Sequence, residues 1–204
     1  MATPRTARDN HKLGLQLPTD PRWVNLVEMD LAEILTDHAY CEQKAALSCI
    51  SIIQAYPDKH DVVREIAPVV TEEWGHFRLV LAELDRRGLQ LGRQRKDEYV
   101  GGLRKFARGG GSREDRLVEL LLTMALIEAR SCERFRLLSL GIAEEDLRAF
   151  YHKFMVSEAG HYRMFLALAK RYGDEDEVTQ RWHEYLDFER ELLAGIEVRG
   201  DRIH

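Results

Sequence analysis

Glu72-Glu73-Trp74-Gly75-His76-Phe77-Arg78-Leu79-Val80-Leu81-Ala82 is matched later in the chain by Ser157-Glu158-Ala159-Gly160-His161-Tyr162-Arg163-Met164-Phe165-Leu166-Ala167. The two strings share Glu, Gly, His, Arg, Leu and Ala at equivalent positions, the mark of an internal duplication. Each contains E-x-x-H: Glu73 with His76, and Glu158 with His161. On a helix, three residues are about 300° of rotation, so carboxylate and imidazole lie side by side and can reach one metal ion or two adjacent ones. A lone E-x-x-H carries little weight, because 21 Glu and 8 His in 204 residues give about one match by chance. Two matches in equivalent surroundings, each flanked by apolar residues (Phe77 and Val80; Tyr162 and Phe165), carry much more.

Working outward from these strings, the chain reads as helices throughout. It has only five prolines, long stretches of 3.6-residue apolar periodicity and almost no β-branched alternation. A first helix is expected from Pro21, after the cap candidates Thr19 and Asp20, to about Tyr56, where Pro57-Asp58 breaks it. A second runs from about Asp61 to Arg87 and stops at Gly88, with Pro68 kinking it a turn before Glu72 and Glu73. A third opens on the capping box Ser112-Arg113-Glu114-Asp115 and ends at Gly141; a fourth spans about 144–172 and is closed by Gly173. An extra helix over 174–196 has a mixed face (Val178, Trp182, Tyr185, Leu186, Glu189) and is expected to pack outside the others. Two joints are short, and one connection, 88–112, is long and glycine-rich. That order describes an all-α, ferritin-like four-helix bundle with one long crossover and an additional C-terminal helix. It is read as a single domain over 1–204, with an N-terminal extension over 1–20.

Composition sets the outer limits. With 45% apolar and 32% charged residues the chain is too hydrophobic for disorder. The longest nearly apolar stretch, Leu117 to Ile127, is interrupted by Glu119 and Thr123 and is too short to span a bilayer. Met1 to Leu17 has no apolar segment of the kind a secretory signal needs, so no membrane role and a cytoplasmic location are expected. Cys41, Cys49 and Cys132 form no C-x-x-C pair and leave an odd count, which fits buried thiols in a reducing compartment. The net charge of −5 hides an asymmetry: nine basic against two acidic residues between Arg86 and Arg113.

A dinuclear carboxylate centre also needs one lone Glu from each of the other two helices. Glu42 in the first helix has His38, Ala39, Ala45 and Ala46 at the i±3 and i±4 positions, a narrow face suited to close packing. At ~1.5 Å per residue it stands roughly 21 Å from the Tyr56 turn, and Glu73 roughly 20 Å back from it, so the two are level. The third helix offers two candidates. The local string Cys132-Glu133 with Leu138-Ser139 repeats Cys41-Glu42 with Leu47-Ser48 and nominates Glu133. Height along the helix nominates Glu128, which stands near the level of Glu158, while Glu133 is closer to the Gly141 turn and reads as a solvated ion pair with Arg130 and Arg136. Glu128 is preferred. Four carboxylates converging in an apolar bundle carry a heavy desolvation and repulsion cost that two divalent metals remove. Four Glu and two His are O and N donors suited to iron or manganese.

With Glu42, Glu73-x-x-His76, Glu128 and Glu158-x-x-His161 in hand, the sequence resembles the tRNA-(2-methylthio-isopentenyl-adenosine) hydroxylase family, MiaE, of the ferritin-like di-iron superfamily. The resemblance covers nearly the whole chain and rests on longer strings than the ligand motif, Asp37-His38-Ala39-Tyr40-Cys41-Glu42-Gln43-Lys44-Ala45-Ala46 and Glu73-Trp74-Gly75-His76-Phe77-Arg78. It implies a monooxygenase that uses O2 and two electrons from an external reductase or ferredoxin-type donor. The implied reaction hydroxylates the isopentenyl side chain of a hypermodified adenosine beside the tRNA anticodon. It further implies two Fe ions, one held by Glu42, Glu73 and His76 and the other by Glu128, Glu158 and His161. On that reading Arg93, Arg95, Lys96, Arg104, Lys105 and Arg108 in the crossover grip phosphates of the tRNA anticodon stem-loop, with Tyr99 or Phe106 available to stack on an unstacked base. His38, one turn before Glu42, is a candidate partner of that carboxylate. His11, His60, His152, His183 and His204 read as surface or local contacts, and Tyr40, Trp74 and Tyr162 beside the ligand segments read as core aromatics. The rival readings are a rubrerythrin-like peroxidase or manganese catalase, which has no use for a basic crossover, and a non-enzymatic iron-storage bundle.

Overall fold

The computed structural model describes residues 13–204, so His11 and the first part of the expected N-terminal extension lie outside the described residues. From Trp23 onward the helices in chain order are α1 Trp23–Glu28, α2 Leu31–Ala55, α3 His60–Arg86, α4 Glu98–Phe106, α5 Arg113–Gly141, α6 Glu145–Tyr172 and α7 Glu175–Gly195. The described chain divides into two compact units, one of Arg22–Asp97 with Arg199–Ile203, the other of residues 13–21, Glu98–Val198 and His204.

The first unit is the α2–α3 hairpin with α1 against α2. Ile34, Leu35, Ala39, Ala46, Cys49 and Ile52 form the buried face of α2, and Ile66, Val69, Phe77, Val80 and Leu84 that of α3, spaced as helical stripes should be. The single first helix expected from Pro21 to Tyr56 is two helices. Asp30 leaves helical geometry (φ −150°, ψ 80°) and its side chain accepts the Glu33 N–H at 3.2 Å. An aspartate that satisfies a backbone donor this way favours a fresh start over a continued helix. Pro68 lies inside α3, which continues through it. Gly88, at φ +68°, ends α3, and Leu89 N–H returns to the Leu84 carbonyl at 2.9 Å. The chain then runs back along α2: Tyr40 OH donates to the Gly92 carbonyl (3.0 Å), Gly92 N–H to Thr36 Oγ1 (3.2 Å), and Lys44 pairs with Asp97 at 2.7 Å.

The second unit is the α5–α6 hairpin, with α7 packed on both helices and α4 against α5 and α7. Helix α4 lies inside the expected glycine-rich connection over 88–112. Tyr99 and Leu103, one turn apart, are both buried, and burial of that stripe outweighs the poor helix propensity of Gly101-Gly102. Gly102 is needed for the close approach, since a Cβ there would sit 2.7 Å from Leu192 Cδ1. Gly111, at φ +86°, delivers the chain to α5, whose expected capping box is present: Asp115 N–H donates to Ser112 Oγ at 3.0 Å and Ser112 N–H to Asp115 Oδ2 at 2.7 Å. The side chain of Asp174 accepts from the N–H groups of Asp176 and Glu177 and so begins α7. Among the described residues no helix is long and apolar enough to cross a membrane.

Candidate metal centre

Each unit brings one lone Glu to its own E-x-x-H. In the first, Glu42 on α2 meets Glu73 and His76 on α3, with one ligand atom from each within 4.8 Å of the others. His76 Nδ1 lies 3.3 Å from Glu42 Oε2 and 3.8 Å from Glu73 Oε2. Both carboxylates are buried and the imidazole is nearly so. In the second, Glu128 on α5 meets Glu158 and His161 on α6 under the same 4.8 Å limit, all three buried, with His161 Nδ1 3.4 Å from Glu158 Oε2. In both units the same imidazole nitrogen faces the carboxylate three residues back, so the sequence repeat is also a repeat of geometry.

The donor chemistry fits a hard-to-borderline divalent metal. Two carboxylates and one imidazole with ligand atoms gathered within 4.8 Å, in a buried position, form a three-point O,O,N set that leaves coordination positions open. The same set without a cation forces like charges together out of water.

Glu42 is itself held. His38, buried on the preceding turn of α2, donates from Nε2 to Glu42 Oε1 at 2.7 Å, leaving Oε2 toward His76. A partner of this kind fixes a ligand's orientation. The local sequence allows it because His38 and Glu42 are four residues apart on one helix face.

The two third-helix candidates have different surroundings. Glu133 is buried, which corrects its reading as a solvated pair, and both its oxygens serve the second unit's architecture. Oε1 accepts from Thr19 N–H (2.8 Å), while Oε2 accepts from Thr19 Oγ1 (2.8 Å) and from Arg130 Nη1 (3.0 Å). Arg130 continues through Nε to Glu189 Oε1 at 2.8 Å, and Tyr99 OH donates to that same oxygen at 3.1 Å. Burial disfavours the Arg130 cation, but Glu189 and Glu133 more than offset this and hold its pKa above the ordinary guanidinium value. Nothing in the local periodicity announced this network; its trace in the sequence is the cluster of Arg130, Glu133 and Arg134.

The basic crossover residues divide by surroundings. Arg93, Lys96, Arg104 and Lys105 are exposed. Arg95 is tied to Asp201 (2.7 Å) and Glu33, and Arg108, itself exposed, pairs with Glu184 at 2.8 Å. Tyr99 is not available to a base: it is buried, hydrogen-bonded to Glu189 and stacked on His204 at 5.1 Å. Phe106 is stacked on Phe188 at 4.1 Å and covered by the Arg181 guanidinium. Both aromatics expected to stack on RNA are therefore engaged within the fold.

Known proteins resemble this chain over most of its length. A tRNA 2-(methylsulfanyl)-N(6)-isopentenyladenosine(37) hydroxylase from Pseudomonas putida is 37% identical over 166 residues, 81% of this chain and 80% of that protein. Its namesake from Salmonella typhimurium is 27% identical over 93% of this chain and 87% of its own. Among solved structures, protein 43 with aldehyde deformylating oxygenase activity from Synechococcus aligns with a TM-score of 0.87 at 30% identity, over 93% of this chain and 94% of that one. The fold class is thus the all-α, ferritin-like one that the helix order predicts. The family model described as tRNA-(MS[2]IO[6]A)-hydroxylase (MiaE) matches residues 7–204, and the chain belongs to that family.

Proposed function

We propose that this protein is a dinuclear iron monooxygenase acting on tRNA, hydroxylating the isopentenyl side chain of 2-methylthio-isopentenyl-adenosine next to the anticodon in the cytoplasm. The observation that carries the reading is the doubled ligand set: the same Glu plus E-x-x-H geometry in both hairpins of a chain from a tRNA hydroxylase family. Glu42, Glu73 and His76 would hold one ion, and Glu128, Glu158 and His161 the other. When bound, a pair of irons would supply, with O2 and two electrons from a reductase or ferredoxin-type donor, the oxidising power for attack on a C–H bond of that side chain.

The chain's own residues supply the rest. Burial of the carboxylates excludes water, which protects a reactive centre from wasteful side reactions. His38 keeps Glu42 in one orientation. Arg93, Lys96, Arg104 and Lys105 are exposed cations able to meet phosphates of the anticodon stem. Nucleoside analysis of tRNA from a strain lacking this protein tests the reading. Loss of the hydroxylated nucleoside with accumulation of its unhydroxylated precursor is expected; an unchanged ratio of the two would overturn it.

A further inference from the structure

Trp74 was expected in the core and is not there. Its indole is 48% exposed, whereas the other two tryptophans, Trp23 and Trp182, are 1% and 7% exposed. The ring leans on buried Phe77, with centroids 5.0 Å apart. Nothing in the hairpin architecture demands an indole here, because the equivalent position of the second repeat is Ala159 in the same E-x-G-H frame. Arg78, one turn on and on the same flank of α3, is also exposed. The positions three and four residues to either side of it are Trp74, Gly75, Leu81 and Ala82, so its own helix offers it no acidic partner. Between the two, a Cβ on Gly75 would meet no atom within 4 Å, which leaves the surface beside the indole open.

From this placement we infer that Trp74 and Arg78 form a nucleotide-binding couple for the substrate RNA, the indole stacking on an unstacked base and the guanidinium taking an adjoining phosphate. The inference rests on the tRNA reading above. Single-stranded RNA is bound in this way, by flat aromatic faces and arginines. Trp74 directly follows Glu73, about 1.5 Å along the helix axis, so a base held on it keeps its appended side chain at the height of the ligand set. Tyr99 and Phe106 cannot serve this purpose, since both are occupied within the fold.

The test is steady-state hydroxylation by the iron-loaded full-length protein of an anticodon stem-loop carrying the modified adenosine, followed alongside by tryptophan emission. Trp74→Ala should raise KM by roughly tenfold, in the range of one lost base–aromatic stack, with a smaller change in kcat and unchanged iron content. Trp74→Phe should recover part of the loss. Arg78→Ala should reduce the salt dependence of binding by about one phosphate contact. RNA should quench the exposed, long-wavelength emission of the wild-type protein, and this response should be absent in Trp74→Phe. Leu79→Ala, at a neighbouring exposed apolar position, serves as the control and should leave KM as it was. An unchanged KM in Trp74→Ala, with the wild type active on the stem-loop, overturns the couple and spares the tRNA reading. A loss that follows the concentration of the electron donor and not of RNA assigns the surface to a protein and likewise overturns it. A wild type with no activity on the stem-loop overturns both.

Discussion

Glu42 is the residue at which local sequence and site chemistry meet most closely. Its carboxylate is divided between two imidazoles, His38 at 2.7 Å on one oxygen and His76 at 3.3 Å on the other. Removing His38 leaves the ligand set intact but frees Glu42 to turn. His38→Ala is expected to weaken metal binding by about 10–100-fold, the usual cost of losing a partner that orients a ligand. Metal titration of the apoprotein under a competing chelator checks this, and His38→Gln, which can still donate, should recover part of the affinity. Five of the six ligand candidates were legible because E-x-x-H is a fixed spacing on a helix and because Glu42 stands among small residues. The choice between Glu128 and Glu133 was legible only from height along the helix. The string Cys132-Glu133 copies Cys41-Glu42, yet Glu133 is spent on Thr19 and Arg130. Local similarity reports ancestry or chance, while height along the helix reports what a side chain can reach.

Among the elements, the long helices were readable from their punctuation: Ser112 and Asp115 at the start of α5, Gly88 after α3, Gly173 after α6. The short ones were not. Helix α4 carries two adjacent glycines and forms because Tyr99 and Leu103 are buried, a tertiary effect that no local propensity reports. The docking face of α7 was legible, since Val178, Trp182, Tyr185, Leu186 and Glu189 are all buried, but the buried charge it also uses was not. Glu119 on α5 accepts from Arg181 Nε (2.7 Å) and Nη2 (2.9 Å), from Tyr185 OH (2.8 Å) and from Arg108 N–H (2.9 Å), joining α5 and α7 to the end of the crossover. Burial alone would raise the Glu119 pKa, but these donors outweigh it and hold the carboxyl below its ordinary value. A carboxyl depressed in the folded state stabilises the fold fully above its unfolded pKa and loses that contribution as pH falls through the lower folded value. Glu119→Gln should therefore cost about 2 kcal/mol at neutral pH and flatten the acid limb of stability. Urea unfolding midpoints from pH 7 downward check both; parallel curves for the two proteins would mean that Glu119 does not anchor α7 as an anion.

For the whole molecule, duplication is the organising fact. Two hairpins gather one candidate triad each, and each triad alone is a crowded, buried pair of carboxylates with one imidazole. Such sets cost folding energy in the absence of a cation and return it on loading, so added metal should raise the melting temperature with the logarithm of its excess over Kd. The most direct measurement is the iron content of the anaerobically reconstituted full-length protein, by mass spectrometry against quantitative amino-acid analysis, beside Glu73→Ala and Glu158→Ala. Two irons per chain, with the bound iron lost or reduced in both variants, is the expected result. One iron or none in the wild type, or two irons retained in either variant, would contradict a dinuclear centre built from both repeats.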